Sequence, residues 1–473
     1  MTLCLLLRRV IFTGLLVSAC ILGAILPALS EATQSPAFQK LRFNEDYRFY
    51  ADQEPGNFLE DIKYIPFGGN GNFLSLGGEI RERYEYTENP SFGADPQDKN
   101  GVWLQRLVLQ ADVHLGEHFR IFSQLSSSLS AGRNGGPSPV DEDRLDLQNA
   151  FIDIATAPAV EDMVRLRVGR QEISLGSGRL VDVREGPDVR RNFDGLRFDI
   201  GEKKGWTSSI IALRPVVPSE GVFDDRTNRD QALWGAYATI PSDFPTSHSD
   251  MDIYYLGYQS ENAVFVQGTA DEVRHSLGMR LFGDKVGWDW NWEAVGQFGT
   301  FGDSDIVAWT LAMDTGYQIA DFTWKPRFGA SINIASGDHS ASDGQLNTFN
   351  PLFPRGNYFS NAAVLGPRNF FNLNPSIEVH PSSILTMGAN VNFFWRLETN
   401  DGVYTPSGSI LRAPNGSDKR YVATAISANI SAQLTERFSL EAVYTHMQPG
   451  TFIKATGADD PINFYEFTAK FRF

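Results

Sequence analysis

The nine residues 465–473, "YEFTAKFRF", alternate between two kinds of side chain. Aromatic or small residues occupy the odd-numbered positions, and charged or polar residues occupy the even-numbered ones. Because successive side chains of a β-strand project to opposite faces, the segment predicts a strand with one apolar and one charged face. An apolar face of this kind has to be covered, either by a protein core or by lipid.

The same period of two recurs along the chain from residue 72 onward, for example in "WDWNWEAVGQF" (288–298) and "LTMGANVNFFWRLE" (385–398). Such segments of about ten residues are typical of strands that cross an outer membrane. The predicted strands are 73–86, 103–115, 118–130, 147–157, 162–170, 192–200, 206–214, 231–240, 251–260, 272–282, 287–299, 305–317, 324–336, 370–380, 384–398, 421–433, 438–448 and 463–473.

The amino-terminal region has the composition of an export signal. Arg8 and Arg9 precede an apolar run over residues 10–26, and small residues follow at 27–32. This order predicts a secretory signal peptide over residues 1–30. A lipid on Cys20 is the alternative, because "VSAC" resembles a lipoprotein signal. We therefore expect a signal peptide at 1–30, a periplasmic amino-terminal segment at 31–72 and a barrel at 73–473.

The remaining sequence favours an outer-membrane barrel over a soluble protein. No later apolar run approaches the ~20 residues of a membrane helix, whereas the chain holds 34 Phe, 15 Tyr, 9 Trp and 43 Gly. Short and long connections alternate between the predicted strands, as in barrels with short periplasmic turns and long extracellular loops. The predicted fold is all-β, a transmembrane antiparallel up-and-down β-barrel of eighteen strands, with sixteen as the alternative. A soluble sandwich or propeller is less favoured, because it would not need so many outward tryptophans.

The charge distribution predicts what the barrel would pass. A formal charge of −16 argues against a nucleic-acid partner. When alternate residues of each predicted strand are assigned to the lipid face and the lumen face, many cations nevertheless fall on the lumen face. A constriction lined by arginine selects anions such as uronic acids. Bracing of the wall by ion pairs with inward carboxylates is the competing explanation. The inward set comprises Arg81, Arg83, Arg106, Arg165, Arg167, Arg197, Arg274, Arg280, Arg327, Arg396, Arg472, Lys325 and Lys470.

The run "RVGRQEISLGSGRLVDVREGPDVRRNFDGLRF" (167–198) resembles the alginate-export family of outer-membrane barrels. Other stretches, including "DIKYIPFGGNGNFLSLGGEIRERYE" and "DEDRLDLQNAFIDI", are similar to the same family. The resemblance implies an eighteen-stranded, monomeric barrel with an electropositive pore, and it makes Arg170, Arg190, Arg191 and Asp194 pore-side candidates. Arg170 has outward parity, so we expect either a bulge at Gly169 or a place in the rim.

Three functions remain open from the sequence. The first is an anion-preferring channel for acidic saccharides or small organic anions. The second is a secretion pore for an anionic exopolysaccharide such as alginate, which would need a periplasmic scaffold. The third is a plugged barrel acting as an enzyme or adhesin. The seven histidines form no zinc motif, and no nucleophile elbow occurs, so we expect no catalysis.

The expected partners and cofactors follow from the same reasoning. We expect no cofactor and no metal, because the Asp- and Ser-rich loops lack the spacing of a calcium loop and read as solvated turns. The membrane partners would be outer-membrane lipid and lipopolysaccharide. The terminal strand ending at Phe473 resembles the signal that the outer-membrane assembly machinery reads.

Overall fold

The computed structural model describes residues 38–53, 56–156, 162–202, 205–246 and 248–473. The expected signal peptide at 1–30 and the lipidation alternative at Cys20 lie outside the described residues. Within the described ranges, no helix is long and apolar enough to cross a membrane.

Eighteen long strands form among the described residues, in agreement with the sequence prediction. They are β1 (Phe73–Glu88), β2 (Val102–Leu115), β3 (Phe119–Ala131), β4 (Asp143–Ala155), β5 (Asp162–Gln171), β6 (Phe193–Glu202), β7 (Thr207–Val217), β8 (Gln231–Ser242), β9 (Ser249–Phe265), β10 (Gly268–Lys285), β11 (Trp288–Phe301), β12 (Ser304–Gln318), β13 (Arg327–Ala335), β14 (Phe370–Val379), β15 (Leu385–Trp395), β16 (Tyr421–Gln433), β17 (Phe438–Pro449) and β18 (Ile462–Arg472).

The connections contain short strands and short helices. Two-residue and three-residue strands occur at Ile65–Pro66, Arg226–Thr227, Gln345–Leu346, Val403–Tyr404 and Ile410–Arg412. The short helices are Arg42–Asn44, Arg48–Asp52, Phe58–Asp61, Pro90–Gly93 and Thr451–Thr456.

The sheet closes on itself. Each long strand pairs antiparallel with its neighbour in sequence, and β1 pairs with β18 from Glu79↔Arg472 to Glu88↔Asn463. The 465–473 segment therefore supplies the closing strand. Closure satisfies the backbone hydrogen bonds of every strand, which is the condition for a sheet that stands in lipid.

The outer face of the barrel is apolar and uncovered by protein. Along β12, Trp309, Leu311 and Met313 are 41%, 43% and 47% exposed. Between them, Thr310 and Ala312 point inward and are buried. This period of two directs the apolar side chains toward lipid, so the apolar face needs no protein core to cover it.

Four consecutive strands are longer than predicted. β9 and β10 contain 17 and 18 residues, and β11 and β12 contain 14 and 15. Because about 9–11 residues suffice to cross the hydrocarbon layer, these hairpins continue beyond the membrane. Their extracellular turns are only residues 266–267 and 302–303. The expected alternation of short and long connections therefore fails at these two places.

Candidate functional site: the charged lumen and its inward loops

Two extracellular connections fold back into the barrel. The first, residues 172–192, is named the β5–β6 loop; the second, residues 336–369, is named the β13–β14 loop. Arg81 on the barrel wall donates from Nη1 to the Glu185 carbonyl oxygen and from Nη2 to the Pro187 carbonyl oxygen, both at 2.9 Å. On the other side, Arg274 donates from Nη1 to the Thr348 carbonyl oxygen at 3.2 Å. Both loops are therefore fastened to inward-facing arginines.

The two loops also pack against each other. Val181 of the β5–β6 loop forms an isolated bridge with Phe353 of the β13–β14 loop. The Phe353 ring also lies edge-to-face against two wall residues, Phe193 of β6 and Tyr258 of β9, with ring centroids 5.2 and 5.6 Å apart. The Asp182 amide donates to the Phe353 carbonyl oxygen at 2.9 Å. The same contact region includes the buried side chains of Val181 and Leu180. The loops thus form one packed layer inside the lumen rather than two separate flaps.

The amino-terminal segment enters the lumen from the opposite end. Phe43 lies edge-to-face against Phe122 and Phe151, both of which face the lumen. Arg120 of the wall donates from Nη2 to the Phe43 carbonyl oxygen at 2.7 Å. Further in, Arg190 of the β5–β6 loop donates to the Lys40 carbonyl oxygen at 2.9 Å. The segment predicted to be periplasmic therefore reaches the β5–β6 loop.

Many of the predicted inward arginines are buried in ion pairs of the wall. Arg167 is fully buried and holds Asp153, with Nε 2.7 Å from Oδ1. Arg396 is fully buried too, but it donates to backbone carbonyl oxygens of the connection that follows β15. Further pairs are Arg81 with Asp188, Arg83 with Glu85 and Glu466, Arg106 with Glu79 and Glu185, Arg165 and Arg197 with Asp199, Arg274 with Glu272, and Arg280 with Asp252. Arg327 pairs with Asp289 as well, but both side chains are about one-third exposed.

Two adjoining cavities remain between the inward loops and the wall. The larger, of about 710 Å³, lies against the extracellular ends of β7–β10 and is named the β8-side cavity. The smaller, of about 580 Å³, lies against β1, β17 and β18 and is named the β1-side cavity. Arg184 and Arg191 of the β5–β6 loop line both cavities. These two side chains stand where a solute leaving one cavity would enter the other.

Charges in the β1-side cavity are largely compensated. Arg133 holds Asp141 at 2.6 Å, and Lys470 lies 3.4 Å from Glu185. Although burial raises the pKa of Glu185, Arg106, Arg190 and Lys470 hold that pKa well below its usual range. Glu185 is therefore a carboxylate at neutral pH and a counter-ion for its neighbours.

Arg184 and Arg191 differ from the other lumen arginines. Among the described residues, neither guanidinium has a carboxylate within 4.0 Å. Arg184 donates to the Val189 carbonyl oxygen at 3.1 Å, and Arg191 donates to the Pro354 carbonyl oxygen at 3.2 Å. Burial lowers the pKa of Arg184 to about 10, and burial with the nearby Arg184 lowers that of Arg191 to about 9. Both remain charged at neutral pH, and neither forms an ion pair with a described carboxylate, although Asp182 attracts Arg191 from a longer distance.

A third cation of this kind lies in the β8-side cavity. Arg368 donates to the Asn350 Oδ1 at 2.9 Å and to the Gly408 carbonyl oxygen at 3.2 Å. Burial lowers the pKa of Arg368 as well. The period-two pattern could not identify Arg184 and Arg368. Both belong to connections, and the pattern predicts side-chain direction only within strands.

The residues carried over from the family motif lie in two places. Arg190 and Arg191 belong to the inward loop, and Arg190 holds Glu172 at 3.0 Å. Arg170 instead pairs with Asp194 at 2.9 Å and with Asp146 at 3.3 Å, near the extracellular strand ends. The pairing of β5 with β4 and β6 has no register shift at Gly169. Arg170 thus occupies the rim, which was one of the two expected arrangements.

Solved structures similar to this one include outer-membrane porins. A BenF-like porin from Pseudomonas fluorescens matches with a TM-score of 0.57 and 10% identity, covering 85% of this chain and 98% of that one. Pseudomonas aeruginosa OccD3 (OpdP) matches with a TM-score of 0.55 and 12% identity, covering 85% and 91%. Pseudomonas aeruginosa OccK2 (OpdF), solved in complex with glucuronate, matches with a TM-score of 0.54 and 10% identity, covering 85% and 98%. At these identities the likeness concerns the fold.

The sequence itself matches the family model described as "Alginate export" over residues 72–462. That range includes β1 to β17 in full and only the first residue of β18. No curated protein matches the chain.

Proposed function

The chain belongs to the alginate-export family and is a channel-type barrel of the bacterial outer membrane, and on this premise we propose that it passes small organic anions or acidic saccharides. The solute carboxylate would bind Arg184 and Arg191, between the two cavities. The ion-paired arginines of the wall, such as Arg106 and Arg167, would hold the barrel and its inward loops in shape.

The observation that supports this most is the pair of guanidinium groups without a carboxylate partner. Both side chains are partly buried. A cation that is partly removed from water and lacks a counter-ion is costly, and an entering anion offsets that cost. Guanidinium also meets a carboxylate with two parallel hydrogen bonds, which fixes the orientation of the solute. Arg368 would add a third contact for a solute that fills the β8-side cavity.

The dimensions of the lumen favour small solutes over a polymer. The cavities, of about 580 and 710 Å³, fall within the usual range of small-molecule sites. The amino-terminal segment and the β5–β6 loop meet inside the barrel, so a polysaccharide would have to displace both. The glucuronate complex of OccK2 shows that a barrel of this fold accepts a uronic acid. Glucuronate is therefore the probe we choose.

The experiment is a planar-bilayer measurement on the purified barrel under a KCl gradient, with glucuronate added afterwards. We expect an anion-selective reversal potential and a glucuronate-dependent block of the chloride current. In the R184A/R191A variant, selectivity should fall, and half-block should need at least about tenfold more glucuronate. That shift corresponds to one charge-assisted hydrogen bond of about 1.5–3 kcal/mol.

The matched control is R144A/R229A, which removes two arginines exposed on the extracellular side. Its reversal potential and block should stay close to those of the wild type, because exposed charges are screened by salt. Equal effects of both double variants would mean that the total charge, rather than this site, sets selectivity. A cation-selective or non-conducting wild type would contradict the proposal.

A further inference from the structure

Three carboxylates from two separate segments meet at the extracellular rim. Asp143 and Asp146 lie on β4, and Asp225 lies in the connection that follows β7. A carboxylate oxygen from each lies within 4.8 Å of the others. An isolated bridge between Leu145 and Val222 brings the two segments together. We name this group the rim carboxylates.

Two of the rim carboxylates have other partners. Asp146 accepts from the Leu147 amide at 2.6 Å and from the Asp225 amide at 3.0 Å, and it lies 3.3 Å from Arg170. Asp225 accepts from the Ser219 amide at 2.7 Å. These bonds fix the two side chains in place and leave further lone pairs on both carboxylates.

Asp143 is the exception. Its residue is only 5% exposed, and its buried Oδ1 accepts no hydrogen bond from any part of the chain that the structure describes. A buried carboxylate without a donor, beside two other carboxylates, loses solvation and gains repulsion. Arg170 offsets only part of this loss, because its ion pairs are with Asp146 and Asp194. A cation that reaches Asp143 Oδ1 would offset both losses.

We propose that Asp143, Asp146 and Asp225 bind a calcium ion at the extracellular rim. Three carboxylates supply up to six hard oxygen ligands, and calcium accepts six to eight in flexible geometry with mono- or bidentate carboxylates. Magnesium demands a near-octahedral shell and keeps its waters, so it fits a cluster drawn from two segments less well. The cluster contains neither His nor Cys, the ligands that zinc prefers.

The position of the site gives the ion a structural role. Asp225 also lines the β8-side cavity, so water and ions reach the cluster from the lumen. A bound ion would tie the connection after β7 to the end of β4. Such a link would hold one wall of the β8-side cavity and would leave Arg184 and Arg191 untouched. Calcium binding is therefore separable from anion selectivity.

The test is a calcium titration of the purified, folded barrel after treatment with EDTA. Thermal unfolding, followed by the heat-modifiable band shift on gels, reports stability, and equilibrium binding of radioactive calcium reports stoichiometry. We expect one ion per barrel, a dissociation constant on the order of 10⁻⁴–10⁻³ M as in extracellular modules, and a rise in the unfolding temperature. Magnesium at the same concentrations should raise the temperature less.

The D143N variant gives the decisive comparison. In EDTA it should be at least as stable as the wild type, because the substitution removes repulsion among the rim carboxylates. With calcium it should gain no stability and bind no ion. D225N alters a connection rather than a strand, so it tests the same point if D143N fails to assemble. The control D303N removes an exposed carboxylate from another extracellular turn and should respond to calcium as the wild type does.

Two results would overturn the proposal. The first is a wild-type barrel whose stability and calcium content do not change up to about 10 mM, ten times the weak end of the expected range. The second is calcium binding of unchanged affinity in both D143N and D225N. Neither result depends on anion selectivity, so the proposed channel function is judged separately.

Discussion

At the scale of single residues, Arg167 shows how a charge is kept inside the wall. It is fully buried, holds Asp153, and lies over the rings of Phe151 and Phe43 at 3.7 and 4.2 Å. The two rings make cation–π contacts with the faces of the guanidinium, and Asp153 forms an ion pair at its edge. Arg167 therefore joins a wall strand to the amino-terminal segment.

The burial of this pair predicts an asymmetric response to substitution. D153A leaves Arg167 buried without its carboxylate, and we expect it to lower the free energy of unfolding by about 3–5 kcal/mol. D153A/R167M replaces the charge with an apolar chain of similar length and should recover most of that loss. Urea unfolding of the barrel in lipid vesicles, followed by tryptophan fluorescence, measures both.

The control is D46A, which breaks the exposed Arg48–Asp46 pair and should change the free energy by less than about 1 kcal/mol. A double variant no more stable than D153A would show that the guanidinium itself is needed, most directly for its contacts with Phe43 and Phe151.

At the scale of elements, the strands could be predicted from sequence and the inward loops could not. Period two specifies which side chains face lipid, and all eighteen predicted strands overlap the observed ones. The path of the β5–β6 loop depends instead on Arg81 meeting Glu185 and Pro187, groups far apart in sequence. Arg184 could not be predicted for the same reason, since the period-two pattern does not extend to connections. The rim carboxylates could not be predicted because Asp225 is far from Asp143 in sequence.

The β5–β6 loop rests on Asp188, whose fully buried carboxylate pairs with Arg81. We expect D188N to keep the barrel but to loosen the loop, because an amide attracts a guanidinium more weakly than a carboxylate does. It also removes one negative charge from the lumen. Single-channel recordings should therefore show more frequent current fluctuations and a stronger anion preference than the wild type.

The control for this prediction is D418N, at a fully exposed carboxylate of the connection after β15. It removes the same charge without touching the β5–β6 loop, so its recordings should match the wild type. A D188N channel as quiet and as selective as the wild type would mean that the carbonyl contacts of Arg81 alone hold the loop.

At the scale of the whole molecule, the barrel is a closed wall narrowed from both ends. Strand pairing from β1 to β18 holds the wall, while loops and the amino-terminal segment occupy the lumen. The two systems meet through buried arginines, which bind carboxylates of the wall and carbonyl oxygens of the loops. Because all pairing between the long strands is made within the wall, the lumen filling can be altered without breaking that pairing.

This separation predicts the effect of deleting residues 38–53. The deletion removes the Phe43 contacts and the hydrogen bonds from Arg42 to the Gly78 and Phe473 carbonyl oxygens, both 3.0 Å long. It leaves every pairing between β1 and β18 intact, so the barrel should still fold and shift its gel band on heating. The periplasmic half of the lumen should widen, and we expect single-channel conductance to rise. Anion preference should persist, because Arg184 and Arg191 belong to the β5–β6 loop. Unchanged conductance in a folded barrel would instead assign the narrowest point to the inward loops alone.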